Sequence, residues 1–73
     1  MSDNHLAKEV AAWLIECPTI SGGTLYWCGR ELGGWLEDVN KAVRYPTRKA
    51  AELRSKALMA KDMRICEHLW VTP

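Results

Sequence analysis

Each β-prone stretch of this chain is bounded by a residue that breaks a strand. Trp13-Leu14-Ile15-Glu16-Cys17 runs into Pro18, Leu25-Tyr26-Trp27-Cys28-Gly29 follows the turn that holds Gly22-Gly23, and Trp35-Leu36-Glu37 starts from the Gly33-Gly34 pair. Proline cannot donate to a sheet ladder and pushes the residue before it into extended geometry, while paired glycines supply the positive φ of a tight reversal. The chain is therefore confined to short strands joined by sharp turns. The spacing predicts a first strand over 11–17, a second over 25–29 and a short third from Trp35, with Thr19-Ile20-Ser21-Gly22-Gly23-Thr24 as a turn by composition.

Leu6, Val10, Trp13, Leu14 and Cys17 also recur at helical spacing, with Ser2 or Asp3 available as a cap. Residues 1–10 thus read as a flexible or helical lead-in to a single domain over 11–73. Further on, Asp38 is placed to cap one helical turn over 39–42, and Val43-Arg44-Tyr45 returns to extended form before Pro46. A longer helix starts after Thr47, a good cap, with Pro46 blocking extension backwards. Its expected core side carries Ala50, Leu53, Ala57, Leu58 and Ala60, and its expected outer side Arg48, Glu52, Ser55, Lys56 and Met59, with Arg54 along the edge. Lys61-Asp62 releases it into a last strand over 63–71, where Ile65, Leu69 and Val71 point one way and Arg64, Cys66, His68 and Trp70 the other. The fold class is α+β, a small antiparallel sheet of three to four strands with one packed helix, in the order β-β-(β)-α-β. One helix covers one sheet face, so the other face is expected to meet water or a partner.

With 73 residues the chain makes one domain near the lower limit for folding without staples. Hydrophobic residues make up 48%, enough for a globular core, and no apolar run is long enough for a bilayer. The first ten residues lack the basic start and apolar block of a secretory signal, so the expected location is the cytoplasm. Cys17, Cys28 and Cys66 are odd in number and widely spaced, which suits reduced thiols. Net charge is only +1, yet residues 1–40 set six acids against Lys8 and Arg30, while residues 41–64 set eight bases against Glu52 and Asp62. Arg44, Arg48, Lys49, Arg54, Lys56 and Lys61 could contact nucleic acid; the plainer reading is a solvated helix face.

No reaction chemistry assembles. The glycine pairs lack the partner glycines and lysine of a phosphate loop, and Ser21 sits in no nucleophile elbow. Cys17, Cys28, Cys66 and His68 have the chemistry of a structural zinc set, but no two cysteines are closely spaced, and buried unligated thiols are the better reading. No enzyme activity, cofactor or metal is expected. His68 reads as a strand histidine hydrogen-bonded to Glu16 or Glu67. Trp13, Trp27, Trp35 and Trp70 are more tryptophan than so small a core can hide, which points to a partner-binding surface of Trp70, His68, Tyr26 and Arg64, with Trp27 assigned to the core.

The run Trp13-Leu14-Ile15-Glu16, the step Tyr26-Trp27-x-Gly29, Trp35 followed by Asp38, the stretch Lys41-Ala42-Val43-Arg44-Tyr45-x-Thr47-x-x-x-Ala51 and the ending Glu67-His68-x-Trp70 resemble a group of very short phage and prophage proteins of unknown function. The resemblance spans about residues 11–71. It implies a phage or prophage origin, a bacterial host's cytoplasm and a compact α+β domain, and it supplies no activity or catalytic residue. The expected function is that of a non-catalytic accessory protein that binds, and thereby inhibits or otherwise engages, a host or phage protein, or self-associates as a homodimer, through an aromatic sheet face. The alternative is a small nucleic-acid-binding accessory protein using the basic helix. No membrane association is expected.

Overall fold

The computed structural model describes residues 8–60 and 62–72. The elements follow the order β1 (Lys8–Pro18), β2 (Thr24–Trp27), a 3-10 turn (Arg30–Leu32), β3 (Trp35–Leu36), a second 3-10 turn (Val39–Lys41), α1 (Arg48–Leu58) and β4 (Arg64–Thr72). Among the described residues the strands form one antiparallel sheet in the order β3-β2-β1-β4, accompanied by one α-helix, a small α+β fold.

The expected turns form as their residues dictate. Gly22 takes φ 95°, and the β1–β2 reversal closes with Thr19 N–H donating to Gly23 O (2.9 Å) and Gly23 N–H to Thr19 Oγ1 (2.8 Å). Gly33 and Gly34, at φ 101° and 88°, bring the chain round so that Cys28 N–H donates to Gly34 O (2.7 Å). The Asp38 carboxylate accepts from Asn40 N–H (2.9 Å) to start the second 3-10 turn, and Thr47 Oγ1 accepts from Ala50 N–H (3.1 Å) to cap α1.

β1 is the spine. It pairs with β4 from Lys8↔Thr72 to Glu16↔Arg64 and with β2 from Glu16↔Tyr26 to Pro18↔Thr24. The 43–45 segment lies on its β2 side, where Trp13 and Tyr45 exchange both backbone hydrogen bonds (2.8 and 2.9 Å). Residues opposite one another share a face, so Leu36, Tyr26, Glu16 and Arg64 form one row across all four strands. β1 starts at Lys8, not at 11, because β4 continues to Thr72 and gives Lys8, Glu9 and Val10 antiparallel partners; the helical spacing of Leu6, Val10 and Trp13 disguised this. Residues 1–7 of the expected lead-in lie outside the described residues.

The two faces are filled differently. Trp13, Ile15 and Trp27 look towards α1, where Ile15 and Ala51 are both fully buried. The expected core side of α1 is corrected in part: Ala51 is buried, the expected Ala50, Leu58 and Ala60 are half-buried together with Ser55, and the expected Leu53 (61% exposed) and Ala57 are exposed. A methyl group at 51 lets the helix approach a sheet face already occupied by an indole, and the Ser55 hydroxyl is satisfied by donating to Glu52 O (2.8 Å). On the opposite face Leu14, Cys28 and Ala42 are buried together, with Tyr26, Leu36, Val39 and Trp70 packed against them. Burying each large aliphatic side chain contributes about 1.5–3 kcal/mol, so Leu14 and Ile15 anchor the two layers.

Candidate functional site

The four residues expected at a partner surface come together. Arg64, His68 and Trp70 share one face of β4 with Tyr26 of β2. The Tyr26 and His68 rings meet edge-on with centroids 6.1 Å apart, His68 and Trp70 are 5.9 Å apart, and the Arg44 guanidinium sits 3.9 Å above the Trp70 ring. His68 Nε2 is hydrogen-bonded to the Glu16 carboxylate, which is itself buried. Of the two partners open at the sequence level, His68 thus takes Glu16 and not Glu67, since Glu67 lies on the other face.

This face is less open than expected. The Asp38-capped turn and Ala42 fold across its β2 end, so Tyr26 and Trp70 each have one side packed on the Leu14–Cys28–Ala42 cluster and are half-buried. One helix does not cover both faces; a single 3-10 turn and the Ala42 that follows it cover part of the second. Trp27 is also only half-buried, stacked edge-on against Trp35 at 5.6 Å.

The outer side of β4 was not singled out by sequence patterning. The Trp13–Tyr45 bonds aim the N–H and C=O of Trp13 away from β4, so Trp13↔Glu67 is a pair without mutual backbone bonds, and the backbone groups of Glu67 point outward. By the two-residue alternation the same holds for Ile65, Leu69 and Val71, while Arg64, Cys66, His68 and Trp70 bond to β1. β4 is an edge strand of nine residues, and among the described residues no strand pairs with its outer side. Leu69 is 61% exposed there.

Nucleophilic chemistry is poorly served. Cys66 lies in the same row as Leu14, and burial pushes its thiol up, with Glu16 adding to the effect by charge and hydrogen bonding. Cys28 is pushed up by burial against an opposing backbone hydrogen bond from Leu36. A raised thiol is held protonated, the reverse of an activated nucleophile. Cys17 pairs with Leu25 on the other face from Cys66, so the four-residue zinc set is divided, and among the described residues no three His, Cys, Asp or Glu are gathered to hold a metal ion.

The basic residues are likewise divided. Arg44 lies over Trp70 on one sheet face, whereas Arg48, Lys49, Arg54 and Lys56 are on α1 against the other. Arg48 is tied to Glu52 at 3.0 Å and reaches over the Trp13 ring at 5.8 Å. Lys61 lies outside the described residues. Among the described residues no helix is long and apolar enough to cross a membrane. The chain matches no protein-family model, no curated protein and no solved structure.

Proposed function

We propose that this chain acts by binding and not by catalysis, as a phage-type accessory protein that self-associates through the outer edge of β4. The observation that carries this reading is the row of outward backbone groups at Ile65, Glu67, Leu69 and Val71 on a long edge strand. Such a row is a template for another strand, and natural sheets usually blunt it with proline, lysine or a covering element. None of these lies on β4, which carries neither Pro nor Lys.

A second copy suits this edge. A two-fold axis at His68 makes the two β4 strands antiparallel and places Cys66 opposite Trp70 and Glu67 opposite Leu69, with no like charges directly opposed. The aromatic row of Tyr26, His68 and Trp70 then continues from one copy into the next, which is the role of the surface residues expected from the sequence. A host or phage protein offering an extended segment would use the same groups.

Leu69→Pro tests the reading. The Leu69 N–H makes no bond to β1, so proline there spares the internal ladder while blocking an added strand. Sedimentation should show the parent chain as a dimer and the folded variant as a monomer. A parent chain that stays monomeric at several hundred micromolar, or a Leu69→Pro variant that remains dimeric, overturns it.

A further inference from the structure

On the α1 side of the sheet, Trp27, Gly29, Arg30, Val43, Tyr45 and Arg54 line a cleft of about 450 Å³. It lies on the face opposite the His68 cluster and away from the β4 edge. We infer that this cleft binds a nucleoside monophosphate, with the ring against Trp27 and Tyr45 and the phosphate between Arg30 and Arg54.

The volume falls within the range of small-ligand sites. Its walls divide by chemistry. Trp27 and Tyr45 are half-buried aromatics presenting ring surface, on which any nucleobase can stack. Arg30, on the exposed 3-10 turn, and Arg54, exposed on α1, approach from two elements. Among the described residues neither is ion-paired with a carboxylate, in contrast to Arg48 with Glu52. Two unneutralised guanidinium forks at one cleft suit a dianionic phosphate, which they can grip with paired N–H donors. Phosphate alone would leave the aromatic wall bare, and a neutral ring would leave both cations unmatched; a ligand carrying both engages the two aromatics and the two guanidinium groups together. The Tyr45 phenol is pushed up by burial, against the pull of Arg54, and so stays protonated as a donor.

The segment that builds the cleft is fastened to the sheet through its backbone. Val43 N–H donates to Trp27 O (2.9 Å), and Tyr45 is bonded twice to Trp13, so both aromatic walls are held by backbone bonds. The cleft is preformed, and binding needs little rearrangement.

The test is titration of the full chain with adenosine 5′-monophosphate, followed by tryptophan fluorescence and by calorimetry, beside adenosine and inorganic phosphate separately. The mononucleotide should bind saturably and at least about tenfold more tightly than either fragment, and Arg30→Gln and Arg54→Gln should each weaken it by about tenfold, the scale of one lost charge-assisted hydrogen bond. Arg48→Gln, outside the cleft, should leave it unchanged. Arg30 is exposed on a turn, so its variant keeps the fold and the test stands even if Arg54→Gln does not. A 5′-phosphorylated dinucleotide distinguishes the source: tighter binding than the mononucleotide marks a strand end, weaker binding a free nucleotide. Equal affinity for adenosine and its monophosphate, no saturable binding at all, or affinity indifferent to Arg30→Gln overturns the assignment. A monomeric parent chain in sedimentation would refute self-association without touching this cleft.

Discussion

His68 and Glu16 are hydrogen-bonded although their strands do not place them opposite one another. Glu16 lies opposite Arg64 and His68 opposite Ala12, so the carboxylate leans along the ladder over the Leu14–Cys66 pair to reach Nε2. The bond holds a carboxyl group on a sheet face that also carries Leu14, Tyr26 and Leu36. A carboxylate at 8% exposure is tolerated there because its acceptor capacity is used.

Glu16 also acts on Cys66, whose thiol is pushed up first by burial and then by that carboxylate. Glu16→Gln should therefore shift the pH profile of Cys66 alkylation downward while keeping the thiol less acidic than one in a denatured chain. Site-resolved mass spectrometry over an alkaline pH series reads this. An unmoved profile would assign the effect to burial alone.

Cys28, Cys66 and Tyr45 are all raised in the folded chain, each chiefly by burial. A group with a raised folded-state pKa contributes stability below its unfolded pKa and loses it as pH climbs towards the folded one. Unfolding midpoints should thus hold below the ordinary thiol pKa of about 8.5 and decline above it, and further near the phenol range of about 10. Urea melts across this window measure the slope. Stability that rises with pH there would contradict the burial of these groups.

The rotated face of α1 makes two substitutions diverge. Ala51→Asp would bury an unpaired carboxylate against Ile15 and should cost about 3 kcal/mol or more, enough to unfold a small domain. Leu53→Asp, on the exposed side, should change stability by no more than about 0.5 kcal/mol. Chemical denaturation compares them, and equal losses would restore the helix face read from the sequence.

Met59 ends α1 in the left-handed region at φ 55° with 89% of its surface exposed. A side chain there is strained and packs on little. Met59→Gly should raise stability by about 0.5–1 kcal/mol, read as a few degrees in the melting temperature. A lower melting temperature would show that the methionine makes contacts that outweigh the strain.

Local chemistry made much of this fold legible. Pro18, Gly22, Gly33-Gly34, Asp38 and Thr47 act within a few residues of themselves, and the turns and caps they promised are where they were expected. What depends on distant partners was hidden. Lys8–Val10 became strand only because residues 70–72 lie beside them, and the Ala51 face of α1 was chosen by Trp13 and Ile15, which helical spacing cannot register. The surface cluster was legible from the alternation of β4, since Arg64, His68 and Trp70 must share a side. The outward backbone row of β4 was not, because it follows from the Trp13–Tyr45 bonds.

The β1–β4 ladder joins Lys8 to Thr72, so the central pairing of the sheet is made by segments from opposite ends of the described chain. Contacts of such sequence separation are slow to form, because a long loop must close before any of them is gained. While it is being synthesised, the chain can complete its β1–β2 turn, but Leu14 and Ile15 gain their β4 neighbours only after Ile65 and Cys66 have left the ribosome. Nascent molecules therefore display a hydrophobic β1 until β4 has been made, and a substitution that delays β4 should reduce the yield of soluble protein more than its effect on the finished fold would suggest.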